Sequence, residues 1–183
     1  MGKLIVWNLM SLDGYFRKAD PADFSWHESA WSEDLERISL EQGADAAALV
    51  FGRITYEGMA AYWANGPEPG PVADFMNAIP KLVASRTLAR ADWNNSRVTR
   101  DVVADVAALK RDSAKNIYVF GSADLCATLR AASLIDEWRI ALAPILLGAG
   151  APLFKGADGA SGLKLLEARP LKKGAVLLRY APT

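Results

Sequence analysis

The residues best placed for chemistry in this chain of 183 amino acids are Gly121-Ser122, in Asn116-Ile-Tyr-Val-Phe-Gly-Ser-Ala-Asp-Leu125. Ile117 to Phe120 read as a buried strand, and Leu125, Leu129 and Leu134 predict a helix over 123–132. Strand, small residues, then helix is how an α/β protein aims free backbone N–H groups at a phosphate. Glycine lets the anion approach the main chain, and a serine at the helix start can cap it or donate to the ligand. A purely conformational turn uses the same residues, so the pair alone leaves both readings open. One cysteine, Cys126, and one histidine, His27, are too few for a Cys/His zinc site and too far apart in sequence to read as a thiolate–imidazole pair. Cys126 reads as a small buried hydrophobe.

The elements that must position this turn alternate along the chain. Leu4 to Met10 is apolar at nearly every position, as in a strand covered on both faces. Asp13-Gly14 turns the chain. Leu35, Ile38 and Gln42 then predict a helix capped near Ser32. Ala46 to Phe51 is a second strand, and a short helix follows, ending near Tyr62-Trp63. The stretch 65–71 is too rich in proline and glycine for regular structure, and Val72 to Ala78 adds a little helix before Pro80. Lys81 to Ser85 and Arg97 to Thr99 read as strands, Val102 to Lys110 as a helix and Glu137 to Ala143 as a strand. Leu163 to Ala168 and Ala175 to Tyr180 close the chain as two strands. The pattern predicts an α/β domain with a mostly parallel central sheet flanked by helices and finished by antiparallel C-terminal strands.

Hydrophobic residues make up 51% of the chain, enough to build a core, and a single domain over 1–183 is expected. Basic and acidic residues are equal at 21 each, so charge gives no ground for a nucleic-acid or anionic-membrane partner. No run approaches the roughly 20 apolar residues of a membrane helix. Asp13 and Arg17 follow the N-terminal apolar run with no small-residue cleavage site. A cytoplasmic location is expected.

Four motifs appear in order: Ser11-Leu-Asp-Gly-Tyr15, Val50-Phe-Gly-Arg-Ile-Thr-Tyr-Glu57, Val119-Phe-Gly-Ser-Ala-Asp-Leu125, and the stretch from Asp136-Glu-Trp-Arg to Ala-Pro-Leu-Phe154. Together they resemble the reductase-type C-terminal domain of bacterial riboflavin-biosynthesis deaminase-reductases, and more closely its stand-alone, dihydrofolate-reductase-like members. The resemblance implies a dihydrofolate-reductase-like fold, NADPH as cofactor and a homodimer. The zinc signature of the deaminase half has no counterpart here.

The resemblance implies where NADPH would lie. Gly52, Arg53, Thr55 and Tyr56 match a Gly-Arg-x-Thr segment that meets the cofactor phosphates; it follows a strand and opens a helix, so amides and guanidinium can face one anion. Ser85, Arg86 and Thr87 match the segment reading the adenosine 2′-phosphate, which favours NADPH over NADH. Gly121, Ser122, Ala123, Asp124 and Leu125 match the pyrophosphate turn, with Asp124 serving as a partner of the helix dipole.

The implied reaction is hydride transfer to a C=N or C=O carbon of a small pyrimidine- or pteridine-like heterocycle. Asp13 is the leading catalytic candidate, against an Asp-Gly turn capping its own backbone. His27, Glu28, Glu33 and Asp34 are the acids and bases nearest the helix where folate reductases keep a proton donor. Trp26, Trp31, Tyr56, Tyr62 and Trp63 are candidate pocket walls, or core. Arg17-Lys18 is the nearest basic pair for a phosphorylated substrate. Two other readings stay open: a nucleotide- or pterin-binding protein without turnover, and an oligomerising scaffold.

Overall fold

Alternate residues of the central strands feed two hydrophobic clusters on opposite faces of one sheet. Ile5 and Trp7 face one cluster while Leu4 and Val6 face the other, the period of two expected of a strand buried on both sides. The computed structural model describes residues 1–65, 70–154 and 160–183.

The chain enters through β1 (Leu4–Ser11) and a short β2 (Tyr15–Arg17), and a 3-10 segment at Ser25–Ser29 leads to α1 (Glu33–Asp45). Next come β3 (Ala46–Gly52), α2 (Arg53–Asn65), α3 (Pro71–Ala78), β4 (Lys81–Ala84) and β5 (Ser96–Thr99). Then follow α4 (Val102–Asp112), β6 (Asn116–Phe120), α5 (Ala123–Ala131) and β7 (Glu137–Ala143). The last elements are β8 (Ala151–Pro152), β9 (Leu163–Pro170) and β10 (Val176–Pro182).

Eight strands form one sheet in the order β5-β4-β3-β6-β1-β7-β10-β9. The first six run parallel, and β10 and β9 add antiparallel, as the sequence pattern predicts. Leu35 and Ile38 of α1, Tyr56 of α2 and Met76 of α3 pack on one face; Val106 of α4 and Leu125, Cys126 and Leu129 of α5 pack on the other. Burial pushes the Cys126 thiol up to about 12, consistent with an inert core residue.

Two details depart from the sequence reading. Ser32 precedes α1, but its hydroxyl makes no capping bond and is buried without a partner. β2 and β8 pair antiparallel as a separate small sheet; neither is long enough to show as a pattern. The expected loop at 65–71 falls largely outside the described residues. No helix among the described residues is long and apolar enough to cross a membrane.

The antiparallel end of the sheet is held by charge. Glu137 on β7, 2% exposed, accepts hydrogen bonds from Arg139 Nε at 2.8 Å and from Arg179 Nε and Nη2 of β10 at 2.7 and 3.0 Å. Arg179 Nη1 also reaches Glu167 on β9 at 3.1 Å. Burial alone would raise the Glu137 carboxyl, but the two guanidiniums outweigh it and hold it below the usual carboxylate range.

Candidate functional site

The carboxyl ends of β4, β3, β6 and β1 stand side by side because these neighbours all run the same way. Register sets Gly52 beside Ala84 and Trp7 beside Phe120. Ser85-Arg86-Thr87, Arg53 and Gly121-Ser122 therefore emerge along one edge, across roughly 10 Å for strands spaced ~4.8 Å apart. α2 leaves β3 for one face and α5 leaves β6 for the other. The winding reverses there, where an open α/β sheet has its ligand crevice.

Two glycines shape this crevice. A Cβ on Gly52 would lie 2.6 Å from Ser122 Oγ, and one on Gly121 would lie 2.8 Å from the Phe16 ring and 2.9 Å from Thr55 Oγ1. Gly121 also has φ of +55°. Its amide donates to Asn8 Oδ1 at 2.9 Å, so amides left for a ligand begin at Ser122 and continue through Ala123 into the first turn of α5. Ser122 makes no side-chain capping bond. Arg53 pairs with Glu57 at 2.9 Å on a half-exposed helix surface, and an anion must compete with that carboxylate. The Tyr56 side chain is spent in the core, where its hydroxyl accepts the Trp93 amide at 2.8 Å.

The loop after β4 is rigidly built. Ser85 Oγ accepts the amides of Thr87 and Leu88 at 3.2 and 2.9 Å, and Arg86 and Thr87 are left exposed. Arg100, directly after β5, donates to the carbonyls of Ser85 and Leu88. The sequence reading passed over Arg100; its place after a strand at the same edge was the available signal.

Asp13 goes elsewhere. Its oxygens accept the amides of Leu147 and Gly148 at 3.1 and 2.8 Å. Hydrogen bonds from Ser11 and these amides hold its carboxyl below the usual range. It ties the loop after β1 to the loop after β7 while also bonding within its own turn, and it is not among the residues lining the cavity described next.

From the crevice a cavity of about 560 Å³ runs down the face covered by α1, α2 and α3, with Thr55 and Gly121 on its lining. Trp7, Leu49, Tyr118 and Phe120 of the sheet line it. Of the expected aromatic walls, Trp31, Tyr62 and Trp63 line it, whereas Trp26 and Tyr56 are core residues, each 4% exposed. Of the acid–base candidates, His27 and Glu28 line it. Glu33 is ion-paired with Lys172, and Asp34 accepts the Lys172 amide at 2.9 Å and pairs with Arg37. α1 turns Leu35, Ser39 and Gln42 to the cavity, and no carboxylate. Asn8 and Gln42, both buried, also line it; the sequence reading assigned neither to the site.

A family model, the RibD C-terminal domain, matches residues 2–177. The chain belongs to the RibD C-terminal domain family. Among curated proteins it is similar to YwjB of Bacillus subtilis (strain 168), named as uncharacterized: 26% identical over 179 residues, covering 97% of each chain. Among solved structures it is similar to RibD of Acinetobacter baumannii, with a TM-score of 0.70 at 18% identity, over 100% of this chain and 58% of that one. It is also similar to dihydrofolate reductase from Enterococcus faecalis complexed with NADP(H), with a TM-score of 0.64 at 16% identity, over 100% and 97%. The fold is thus dihydrofolate-reductase-like.

In this RibD C-terminal domain the cavity histidine is held neutral. Burial pushes the His27 imidazole down to about 4, against a weaker opposing pull from Asp23. Its rings stack edge-on with Phe24 and Trp26 at 5.3 and 4.3 Å. The unfolded chain takes up this proton near pH 6.5 and the folded one near 4, so stability is complete above 6.5 and falls as pH drops between the two. The expected loss is about 3 kcal/mol across that window. Urea midpoints at pH 7.5 and 4.5, compared between the wild type and His27→Gln, isolate the contribution. Equal pH slopes for the two proteins would refute it.

Proposed function

We propose that this protein is an NADPH-dependent reductase of a small pyrimidine- or pteridine-like heterocycle. The observation that carries the reading is the meeting of the crevice with the cavity: Thr55 and Gly121 belong to the turns at the sheet edge and also line an aromatic chamber. A dinucleotide laid across the three loops would put its reactive ring at the mouth of that chamber.

The residues present fit such a cofactor. At Gly52 and Gly121 the turns pack so closely that a Cβ would collide with Ser122, Phe16 or Thr55, and the bare main chain stays within reach of a ligand. The start of α5 offers amides and a positive dipole end to a pyrophosphate. Arg86 and Thr87, on a loop fixed by Ser85 and Arg100, suit a phosphate monoester. Bound NADPH supplies a hydride; the protein's part is to bind, orient and polarise the acceptor. His27 is neutral and Asp23, held down to about 2 by Ser25 and Lys18, is ionised at pH 7.

The cofactor half is tested by titrating NADPH and NADH and following the cofactor's fluorescence. The wild type is expected to prefer NADPH. Arg86→Glu is expected to weaken NADPH about tenfold or more while sparing NADH, since a charge-assisted phosphate contact is worth about 1.5–3 kcal/mol. Binding of neither nucleotide below millimolar would end the reading. The lack of a carboxylate from α1 in the lining supports a second reading, in which the domain binds its heterocycle without turnover. Sensitive NADPH-oxidation assays over a heterocycle panel separate the two.

A further inference from the structure

The polar side chains on the cavity wall are mostly spent on the chain itself. Arg17 Nη1 donates to the carbonyls of Lys18 and Ala19 at 3.1 and 3.3 Å. Asp23 accepts from Lys18 Nζ at 2.9 Å and from the Ser25 hydroxyl at 2.6 Å. Ser39 Oγ donates to the Leu35 carbonyl at 2.8 Å, and Arg139 Nη1 reaches the Tyr118 hydroxyl at 3.4 Å. Asn8 Nδ2 and Gln42 Oε1 have no partner but are sealed within the packing, out of a ligand's reach.

His27 differs from all of these. Its backbone is fixed: the amide donates to the Phe24 carbonyl at 2.9 Å, and the carbonyl accepts the Ala30 and Trp31 amides at 3.0 and 2.8 Å. Its ring stands edge-on to those of Phe24 and Trp26. Yet among the described residues neither ring nitrogen bonds to the chain, and neither is sealed off. Apart from indole N–H groups, the other unbonded polar side chains on the lining are Thr55, which stands at the crevice, and Glu28 and Tyr62, which are exposed. His27 is thus a firmly held, partly buried group on the wall of an aromatic chamber, with its hydrogen-bonding capacity unused. A ligand that bonds it displaces water without stripping a charge, since the ring is neutral.

We propose that His27 is a specificity-determining residue of this cavity, its imidazole hydrogen-bonding the molecule that receives the hydride. The neutral ring has one N–H donor and one bare nitrogen acceptor, and so matches a ligand edge that carries a donor and an acceptor of its own. Its part is to bind and orient, with no proton transferred. A phenyl ring of similar shape would fill the same space and contribute neither bond. The assignment rests on the reductase reading for the identity of the ligand, but its test needs no cofactor.

The chain holds a single histidine, so protein labelled with nitrogen-15 histidine reports the ring nitrogens of His27 and no others. Pterin, lumazine and uracil are titrated into it at pH 7.5, with quenching of the cavity tryptophans (Trp7, Trp31 and Trp63) as the independent record of binding. At least one of the three is expected to bind, and at saturation to shift a His27 nitrogen resonance. His27→Phe keeps an aromatic ring beside Phe24 and Trp26 and removes both nitrogens. It is expected to weaken the bound heterocycle about tenfold or more. It should leave the melting temperature of the free protein at pH 7.5 unchanged or raised, because no side-chain bond to the chain is lost. The inference is overturned if none of the three binds below millimolar, if one binds without moving the His27 resonances, or if His27→Phe binds it like the wild type. Failure of NADPH to bind would remove the reductase reading and leave this titration intact.

Discussion

Replacing Gly121 with valine is expected to unfold part of the population and remove dinucleotide binding from what remains folded. Two independent costs meet at this position. Its φ of +55° is a conformation that costs an L residue about 1–2 kcal/mol, and more when the side chain is β-branched. The added Cβ would sit 2.8 Å from the Phe16 ring and 2.9 Å from Thr55 Oγ1, and such crowding costs about 1–3 kcal/mol more. The sum, roughly 2–5 kcal/mol, is a large share of the 5–15 kcal/mol that holds an ordinary domain together. Any relaxation moves Thr55 or Phe16 into the crevice and disturbs the bond from the Gly121 amide to Asn8. Urea denaturation and NADPH titration of the same preparation check both halves. Gly52→Ala is the milder companion: its Cβ meets the Ser122 side chain, so binding should fall more than stability. Wild-type stability and affinity in Gly121→Val would show that the turn is not the close approach described above.

Glu137→Ala is expected to be the most destabilising change remote from the site. The carboxylate is enclosed and bonded to two arginines, and removing it leaves their charges facing one another. Breaking a buried pair in this way costs about 3–5 kcal/mol, or on the order of 10 °C in melting temperature for a chain of this length. Replacing Glu137, Arg139 and Arg179 together with apolar residues should recover most of the loss, because the cost lies in the uncompensated charge. Acid has a related effect. The folded carboxyl is held below its unfolded value, so its contribution is present above the unfolded pKa near 4.5 and is lost as pH falls through the folded one. A melting temperature within a degree or two of wild type for the single variant would contradict this account.

Much of the architecture was legible because strand and helix patterns alternate cleanly. β7 occupies the predicted Glu137–Ala143, and α5 begins where small residues follow an apolar run. Pieces too short to carry a period, β2, β8 and the 3-10 segment, were not legible. The three loop segments were readable as strand ends, and parallel strands then bring them to one edge. Side-chain commitments were harder to read. Tyr56 and Trp26 have the same composition signal as Trp31 and Tyr62 but pack inward. Asp13 sits in the expected motif yet binds the backbone of a distant loop. Asn8 was the one polar residue in the apolar run from Leu4 to Met10, and it holds the Gly121 amide where the rest of the run packs. Gln42 was hidden because it falls on the buried face of α1, at a spacing that reads as core.

The opposite departures of α2 and α5 from neighbouring strands divide labour between the two coats of the sheet. On the reading proposed above, substrate choice is written on one coat alone, in α1 to α3 and the strand residues beneath them. The core side chains of the other, Val106, Cys126 and Leu129, do not line the cavity and bear on durability. A library confined to the first coat can explore new acceptors while the second keeps the scaffold standing.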